Sequence, residues 1–418
     1  MSAPHSDKIH DALIVGGGLV GLATALSLDA AGLDVAVIDA LPIEATLAEE
    51  FDGRASALAY ASWRMFEALG VAGRLRQHAQ PLTEILVSDG RAPDGLRPGG
   101  PGPFFLHFDS AELQTGLPLG MMAENRHTRL ALIETLHDRG ITAIAPAKAA
   151  GFDFSDPLAA VTLQDGRVIR AKLIVAADGR FSPARQAAGI RTTAWRYKQT
   201  AIVATAHHEQ PHNGVAHEYF LPAGPFAILP LTGDRSSLVW TETPRAAQAL
   251  MQLPDEDFAE ELSRRFGDFM GAVRPGGPRW SYPLGLQIAE DYVRPRLVLV
   301  GDAAHAIHPI AGQGFNLGLR DAAALADVLS EGRAAGLDIG SEVALLPYET
   351  WRKADNVSLA LGTDIFNRLF SNDDRLLRPV RGIGMALTGA VGPARRFFAR
   401  HAGGATGTQP ALLKGETP

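Results

Sequence analysis

The spacing Gly16-x-Gly18-x-x-Gly21, set between an apolar run and a helix-spaced run, constrains this chain more than any other feature. Ala12–Val15 reads as a short buried strand. Leu19–Ala31 is rich in Ala and Leu at helical spacing, Gly32 is placed as a C-cap, and Leu33–Ile38 reads as a second strand ending at Asp39. A complete βαβ unit thus fits within about 30 residues. In such a unit Gly16 permits the tight turn, Gly18 lets the backbone approach a pyrophosphate, and Gly21 lets the helix close on the strand. The helix start aims unpaired N–H groups and a positive dipole end at phosphate oxygens. Asp39 is placed to accept hydrogen bonds from an adenosine ribose. The unit implies a dinucleotide and does not separate FAD from NAD.

Two further strands deliver an aspartate to their ends. Leu173–Ala177 leads to Asp178-Gly179-Arg180 and on to Ser182 and Arg185. Arg296–Val300 leads to Gly301-Asp302, then His305, His308-Pro309 and Gly312-Gln313-Gly314-Phe315-Asn316. Ligands of open α/β sheets lie at such strand ends. The Asp302 carboxylate can bind a polyol hydroxyl. A helix starting near Gly312 can point N–H groups at an electron-rich ring edge, where its dipole stabilises negative charge.

The texture changes between Thr192 and Thr243. Ala201–Ala206, His217–Leu221, Phe226–Leu231 and Ser237–Glu242 are strand-like runs split by Pro and Gly, which predicts an antiparallel sheet. Val161–Ile169 reads as a hairpin turning at Asp165-Gly166. Met121–Arg139, Asp255–Val273, Gly314–Glu331 and most of Leu345–Ala402 read as helices, and Arg91–Pro103 as a Gly/Pro-rich surface loop. The expected fold class is α/β: a Rossmann-like FAD-binding domain with an inserted antiparallel β-sheet substrate domain and a helical C-terminal region. The expected domains are 1–75, 110–190 and 285–345 (FAD-binding, discontinuous), 76–109 and 191–284 (substrate sheet), 346–402 (C-terminal helices) and 403–418 (a disordered tail).

Composition narrows the function classes. The 418 residues carry a net charge of -7 without a dense Lys/Arg block, which argues against a nucleic-acid partner. Cys is absent, so disulfides, thiolate metal sites and cysteine nucleophiles are excluded. MSAPHSDKIH shows no secretory leader pattern, and no stretch is long and apolar enough to span a bilayer. A cytoplasmic location is expected, with peripheral membrane contact or a biosynthetic protein complex left open. His305 and His308, three apart in a Gly/Pro loop, make a poor metal site, so no metal is expected.

The three motifs in this order resemble the flavoprotein aromatic hydroxylases, the p-hydroxybenzoate-hydroxylase-like group A monooxygenases. Asp178, Gly179, Ser182 and Arg185 match that family's middle motif. Gly301 to His305, Pro309, Gly312, Gln313 and Gly314 match its third. Asp52-Gly-Arg54, Glu124-Asn125-Arg126-His127, the run His308 to Asp321, Thr363-Asp364 with Leu369-Phe370, and Tyr219-Phe220 with Gly224 to Leu231 resemble the ubiquinone-biosynthesis branch. The likeness reaches to about residue 402.

The resemblance implies that Gly16, Gly18, Gly21 and Asp39 hold the ADP half of FAD. Arg54 and Arg126 would lie along the cofactor path, and Asp178, Gly179 and Gly301 beside it. Asp302 would take the ribityl chain. Pro309, Gly312, Gln313, Gly314 and Asn316 would line the isoalloxazine, with no side-chain nucleophile required. The implied reaction hydroxylates the ring of a polyprenyl phenol, using O₂, a C4a-hydroperoxide of the reduced flavin, and NAD(P)H or an electron-transfer partner as reductant. Phe220, Phe226 and Ile228 are the expected substrate wall, and His217 and Glu218 are candidates to assist phenol deprotonation. Trp351, Arg352 and Asp355 read as helix packing and surface charge. Phe366, Leu369, Phe370, Phe397 and Phe398 beside Arg395, Arg396 and Arg400 are candidates for a membrane or partner contact. Another FAD-dependent aromatic hydroxylase, a non-oxygenating flavin reductase or dehydrogenase, and a non-catalytic FAD-stabilised subunit remain as alternatives.

Overall fold

Ile9–Val15, Leu19–Ala30 and Val35–Ile38 form the expected βαβ unit, with both strands buried and parallel in the computed structural model. The structure describes residues 8–48, 52–90, 105–113, 116–155, 157–309, 312–370 and 408–418. Gly32 closes the first helix at φ 76°, its N–H donating to Asp29 O. Val168–Ala176 and Leu297–Leu299 extend the same parallel sheet on one side and Thr142–Ile144 on the other. Register then places the motifs. Val15 pairs with both Ile38 and Ala176, and Ala176 pairs with Leu299. Gly16, Asp39, Asp178 and Asp302 therefore leave the sheet at one edge, the carboxyl ends of its strands. The expected hairpin forms from Ala159–Leu163 and the start of Val168–Ala176.

A second eight-stranded sheet runs in the order His305–Ala306, Val273–Ala289, Thr192–His208, Arg235–Glu242, Gly224–Leu231, Val215–Leu221, Glu84–Asp89, Phe105–Asp109. It is antiparallel except where Val215–Leu221 pairs parallel with Glu84–Asp89. One face carries its own core. Phe226, Ile228, Leu238 and Trp240 pack against Phe258, Leu262 and Phe266 of the helix Asp255–Phe266. Ala55–Ala59, Gly120–Glu124 and Ala79–Leu82 form a small third sheet, with Gly120–Glu124 in the middle.

Four expectations change. Met121–Glu124 is strand, because it pairs on both sides within the small sheet, and the helix starts only at Asn125. The helix from Asp255 stops at Phe266, where Gly267 takes φ 92° and breaks the turn. The 403–418 tail is not frayed over its described part. Ala411–Lys414 is a 3₁₀ turn with Leu412 and Leu413 buried, and Ala411 N–H donates to Asp327 Oδ2 at 2.9 Å. Arg352 is no surface charge, being fully buried on the helix Glu342–Phe370. The Arg91–Pro103 loop, the aromatic and basic residues from 395 to 400, and the side chains of Phe366, Leu369 and Phe370 lie outside the described residues.

Candidate functional site

Between the parallel sheet's strand ends and the large sheet lies a cavity of about 590 Å³. Gly18, Ala177, Gly179, Arg180, Val300 and Asp302 line one side, and Pro309 with Gly312 to Asn316 lines its roof. The glycines behave as their spacing requires. A Cβ on Gly16, at φ 109°, would sit 2.3 Å from Ala177 O, and one on Gly21 would sit 1.9 Å from Gly16 O. A Cβ on Gly18 would meet nothing within 4 Å, because Gly18 faces the cavity. A smaller cleft beside it is lined by Gly17, Leu22, Asp39, Leu41, Thr46 and Ile133. Asp39 stands at its edge, Oδ2 accepting from Gly17 N–H at 2.5 Å and Oδ1 from Leu41 N–H at 2.7 Å.

Asp302 is exposed where it lines the cavity, and the protein atoms crowded around its carboxyl raise its pKa above the ordinary value. Burial also raises that of Asp178, whose Oδ2 accepts from Ala184 N–H while Oδ1 has no hydrogen-bond partner among the described residues. The loop from Pro309 closes with Gly312 N–H donating to Pro309 O. Gly312 takes φ 61° and starts the helix Gln313–Ala334, so the first N–H groups of that helix border the cavity. The Asn316 amide ties this helix down: its Oδ1 accepts from Ala59 N–H and Ser62 Oγ, and its Nδ2 donates to Ala57 O. It shapes the cavity through these bonds as well as lining it.

A buried polar network fixes the Gly301-Asp302 turn from behind. Asp321, fully buried, accepts from Gly301 N–H and the Arg352 guanidinium, and pairs with His305 Nε2 at 2.5 Å. Burial alone would raise the Asp321 pKa, but His305 and Arg352 outweigh it and hold the carboxyl far below the usual range. His308 is likewise buried, 3.3 Å from Gln199 Oε1, and loss of solvent lowers its pKa to about 4. Among the described residues no three His, Asp or Glu side chains are grouped to hold a metal.

Arg54 lines the cavity, pairs with Asp52 through two bonds at 2.8 and 3.0 Å, and lies 5.2 Å over the Tyr282 ring. Arg126 is not among the lining residues. Its guanidinium lies 3.5 Å from Glu124, and from the same helix it is Arg129, three residues along, that lines the wall. Helical spacing from Asn125 was the signal for Arg129. Sequence reading also passed over Asn125, Arg180 and Tyr282 as lining residues.

The large sheet closes the other side. Strand alternation decides which residues face in. Ala227 and Leu229 are half-buried and line the cavity, while Phe226 and Ile228 are fully buried under the helices. Phe226 and Ile228 are therefore core residues, not substrate wall. Phe220 shares the inward face by register but is not among the lining residues. Glu218 lies on the inward face. His217 also borders the cavity, its ring lying tilted 4.8 Å from that of Phe269 on the helix-covered face, where burial lowers its pKa to about 4.

These residues fit an FAD. The open Gly18 side and helix start suit a pyrophosphate, and the Asp39 carboxylate at the end of the next strand suits a ribose hydroxyl. Asp302 suits a polyol, and the helix start at Gly312 suits the flavin ring. Residues 10–353 match a family described as FAD binding domain. The chain is 46% identical to ubiquinone hydroxylase UbiL of Rhodospirillum rubrum, covering 99% of this chain and 94% of that one. It is 36% identical to 3-demethoxyubiquinol 3-hydroxylase of Escherichia coli, covering 93% and 97%. Its fold is similar to that of p-nitrophenol 4-monooxygenase PnpA from Pseudomonas putida, with a TM-score of 0.78, 20% identity, and coverage of 96% and 99%.

Proposed function

This chain belongs to the FAD-binding-domain family and, within it, to the ubiquinone-biosynthesis hydroxylases, and on that premise we propose that it hydroxylates the aromatic ring of a polyprenyl phenol with FAD, O₂ and a reductant. One observation carries the reading. Residues from three distant stretches, Gly18 to Val20, then Ala177, Gly179 and Arg180, then Val300, Asp302, Pro309 and Gly312 to Asn316, converge on a cavity whose opposite wall is mostly apolar.

FAD, when bound, supplies the redox chemistry that turns O₂ into an oxygen donor. The chain's residues do the rest. The helix start behind Gly18 holds the pyrophosphate, Asp39 the ribose and Asp302 the ribityl hydroxyls. Pro309 and the helix start at Gly312 to Gly314 hold the flavin ring and favour negative charge at its edge. Ile85, Val87, Val203, Ala227, Leu229 and Val239 exclude water and give a ring with an apolar chain its seat. In this division of labour residues 1–75, 110–190 and 285–345 hold FAD, and 76–109 with 191–284 hold the substrate. A polyprenyl chain partitions into lipid, so the enzyme works against a membrane surface. Leu361 and Ile365, 49% and 62% exposed one turn apart on the C-terminal helix, are the residues that favour this contact. Among the described residues no helix is long and apolar enough to cross a membrane.

The test is direct. FAD-reconstituted protein, supplied with reductant and O₂, converts a 2-polyprenylphenol to a product one oxygen atom heavier by mass spectrometry. A yellow protein that consumes reductant and returns the phenol unchanged overturns the proposal.

A further inference from the structure

The inward face of the large sheet is apolar with few exceptions. From Ile85 and Val87 across Ala216, Ala227, Leu229 and Val239 to Ala201 and Val203, the lining side chains carry no polar atom. Ser237 and Thr241 add hydroxyls, and Tyr282 lies at the cofactor end beneath Arg54. Glu218 is the one carboxylate that this sheet brings to the cavity lining among the described residues. Its position is set by register, for it pairs with Ala227 on one side and Val87 on the other, both of which line the cavity. Glu218 is 9% exposed. Asp302, the other carboxylate of the cavity, sits at the strand ends with the cofactor-holding residues.

Resting on the phenol reading above, we propose that Glu218 anchors the substrate by accepting the hydrogen bond of its ring hydroxyl. The carboxylate then fixes which ring edge turns toward the Gly312–Gly314 loop. It also draws the hydroxyl proton along the bond, which raises electron density at the ring carbons ortho and para to that oxygen. Those are the carbons an electrophilic oxygen takes. His217 also borders the cavity, but its ring turns to Phe269 at 4.8 Å in the helix-covered core, so the carboxylate, not the imidazole, meets the phenol.

The test compares 2-allylphenol with its methyl ether, 2-allylanisole, which keeps the shape and lacks the donor. Both are titrated into FAD-loaded protein, following the perturbation of flavin absorbance. Wild type prefers the phenol by about ten- to hundredfold, as expected for a hydrogen bond to a charged group. Glu218→Gln brings that ratio close to one, and Glu218→Asp restores most of it. The ratio is read within one preparation, so an unfolded fraction cancels. A Gln variant that keeps the wild-type ratio, or a wild type that binds phenol and ether alike, overturns the anchor and leaves the hydroxylase reading standing. A wild type that binds neither removes the phenol reading, and the anchor falls with it.

Discussion

On the cofactor side of the cavity the wall is backbone. Gly16 and Gly21 bring the chain so close to itself that single atoms decide the shape, Gly18 leaves its side open to the cavity, and the turn at Gly301 is pinned by Asp321 behind it. On the opposite side the wall is side chains. There the strand backbones are held by their ladders and by the apolar core under the helices, and every second residue is left to face the cavity. The first wall allows no added atom at its crossing points. The second can change its lining residues one at a time without touching its support. A fold built this way keeps its cofactor chemistry constant while its substrate surface varies.

The largest expected effect comes from breaking the network behind the backbone wall. Asp321→Ala leaves Arg352 and His305 buried without their common partner. Loss of one member of a buried ion pair costs about 3–5 kcal/mol. The variant should melt far below wild type and retain little flavin; a wild-type melting curve would show that the turn holds itself. Next comes the glycine pair. Gly21→Ala drives a Cβ onto Gly16 O, backbone against backbone, and destabilises by about 3 kcal/mol or more. Gly18→Ala adds its methyl to open space. It should melt like wild type without flavin and yet release flavin on gel filtration. Equal behaviour of the two variants would remove the distinction between packing and cofactor glycines.

The two walls were unequally legible in the sequence for the same reason. A backbone wall must be written in glycine and in aspartates at strand ends, so Gly16 to Gly21, Asp39, Asp302 and the Gly312 loop stand out. A side-chain wall is written in alternation, which does not say which face is inward. Phe226 and Ile228 looked like substrate contacts because they are large and apolar, and the helices cover them for that same property. Arg352 looked like surface charge because its partner Asp321 lies 31 positions away, on another helix. Met121–Glu124 looked helical because the two strands that pair with it are distant in sequence. The described end of the tail packs on the helices Tyr60–Leu69 and Gln313–Ala334, which its polar composition did not announce.

Acid titration separates the walls further. His217 sits under the sheet and His308 beside the flavin loop, and burial lowers both pKa values to about 4 from an ordinary 6.5. The unfolded chain takes up these protons first as pH falls. Stability is therefore complete above about pH 6.5, declines toward about pH 4, and changes no further below it on their account. Each gap is worth at most about 3 kcal/mol. His217→Leu should flatten roughly half of the decline without moving flavin affinity at pH 7. An unchanged slope between pH 4 and 6.5 would mean that other groups set the acid limit.

The smallest effect is the one most specific to the side-chain wall. Leu229 is half-buried and faces the cavity, next to Ile228, which is fully buried on the other side. Truncating it, Leu229→Ala, enlarges a space that already exists and opens no sealed void. The stability cost should stay below about 1 kcal/mol, unlike the 2–5 kcal/mol of a truncation in a closed core. Flavin content should not change, because Leu229 packs against Leu82, Met122, Ala216 and Leu231, none of which belongs to the Gly16–Gly21 or Gly301–Asn316 stretches. Affinity for 2-allylphenol should fall about fivefold, the loss expected for about 1 kcal/mol of apolar contact. The preference for phenol over ether should survive, since Glu218 is untouched. If the variant instead lost flavin or melted several degrees lower, the lining residues would be supporting the backbone wall, and the two walls would not be independent.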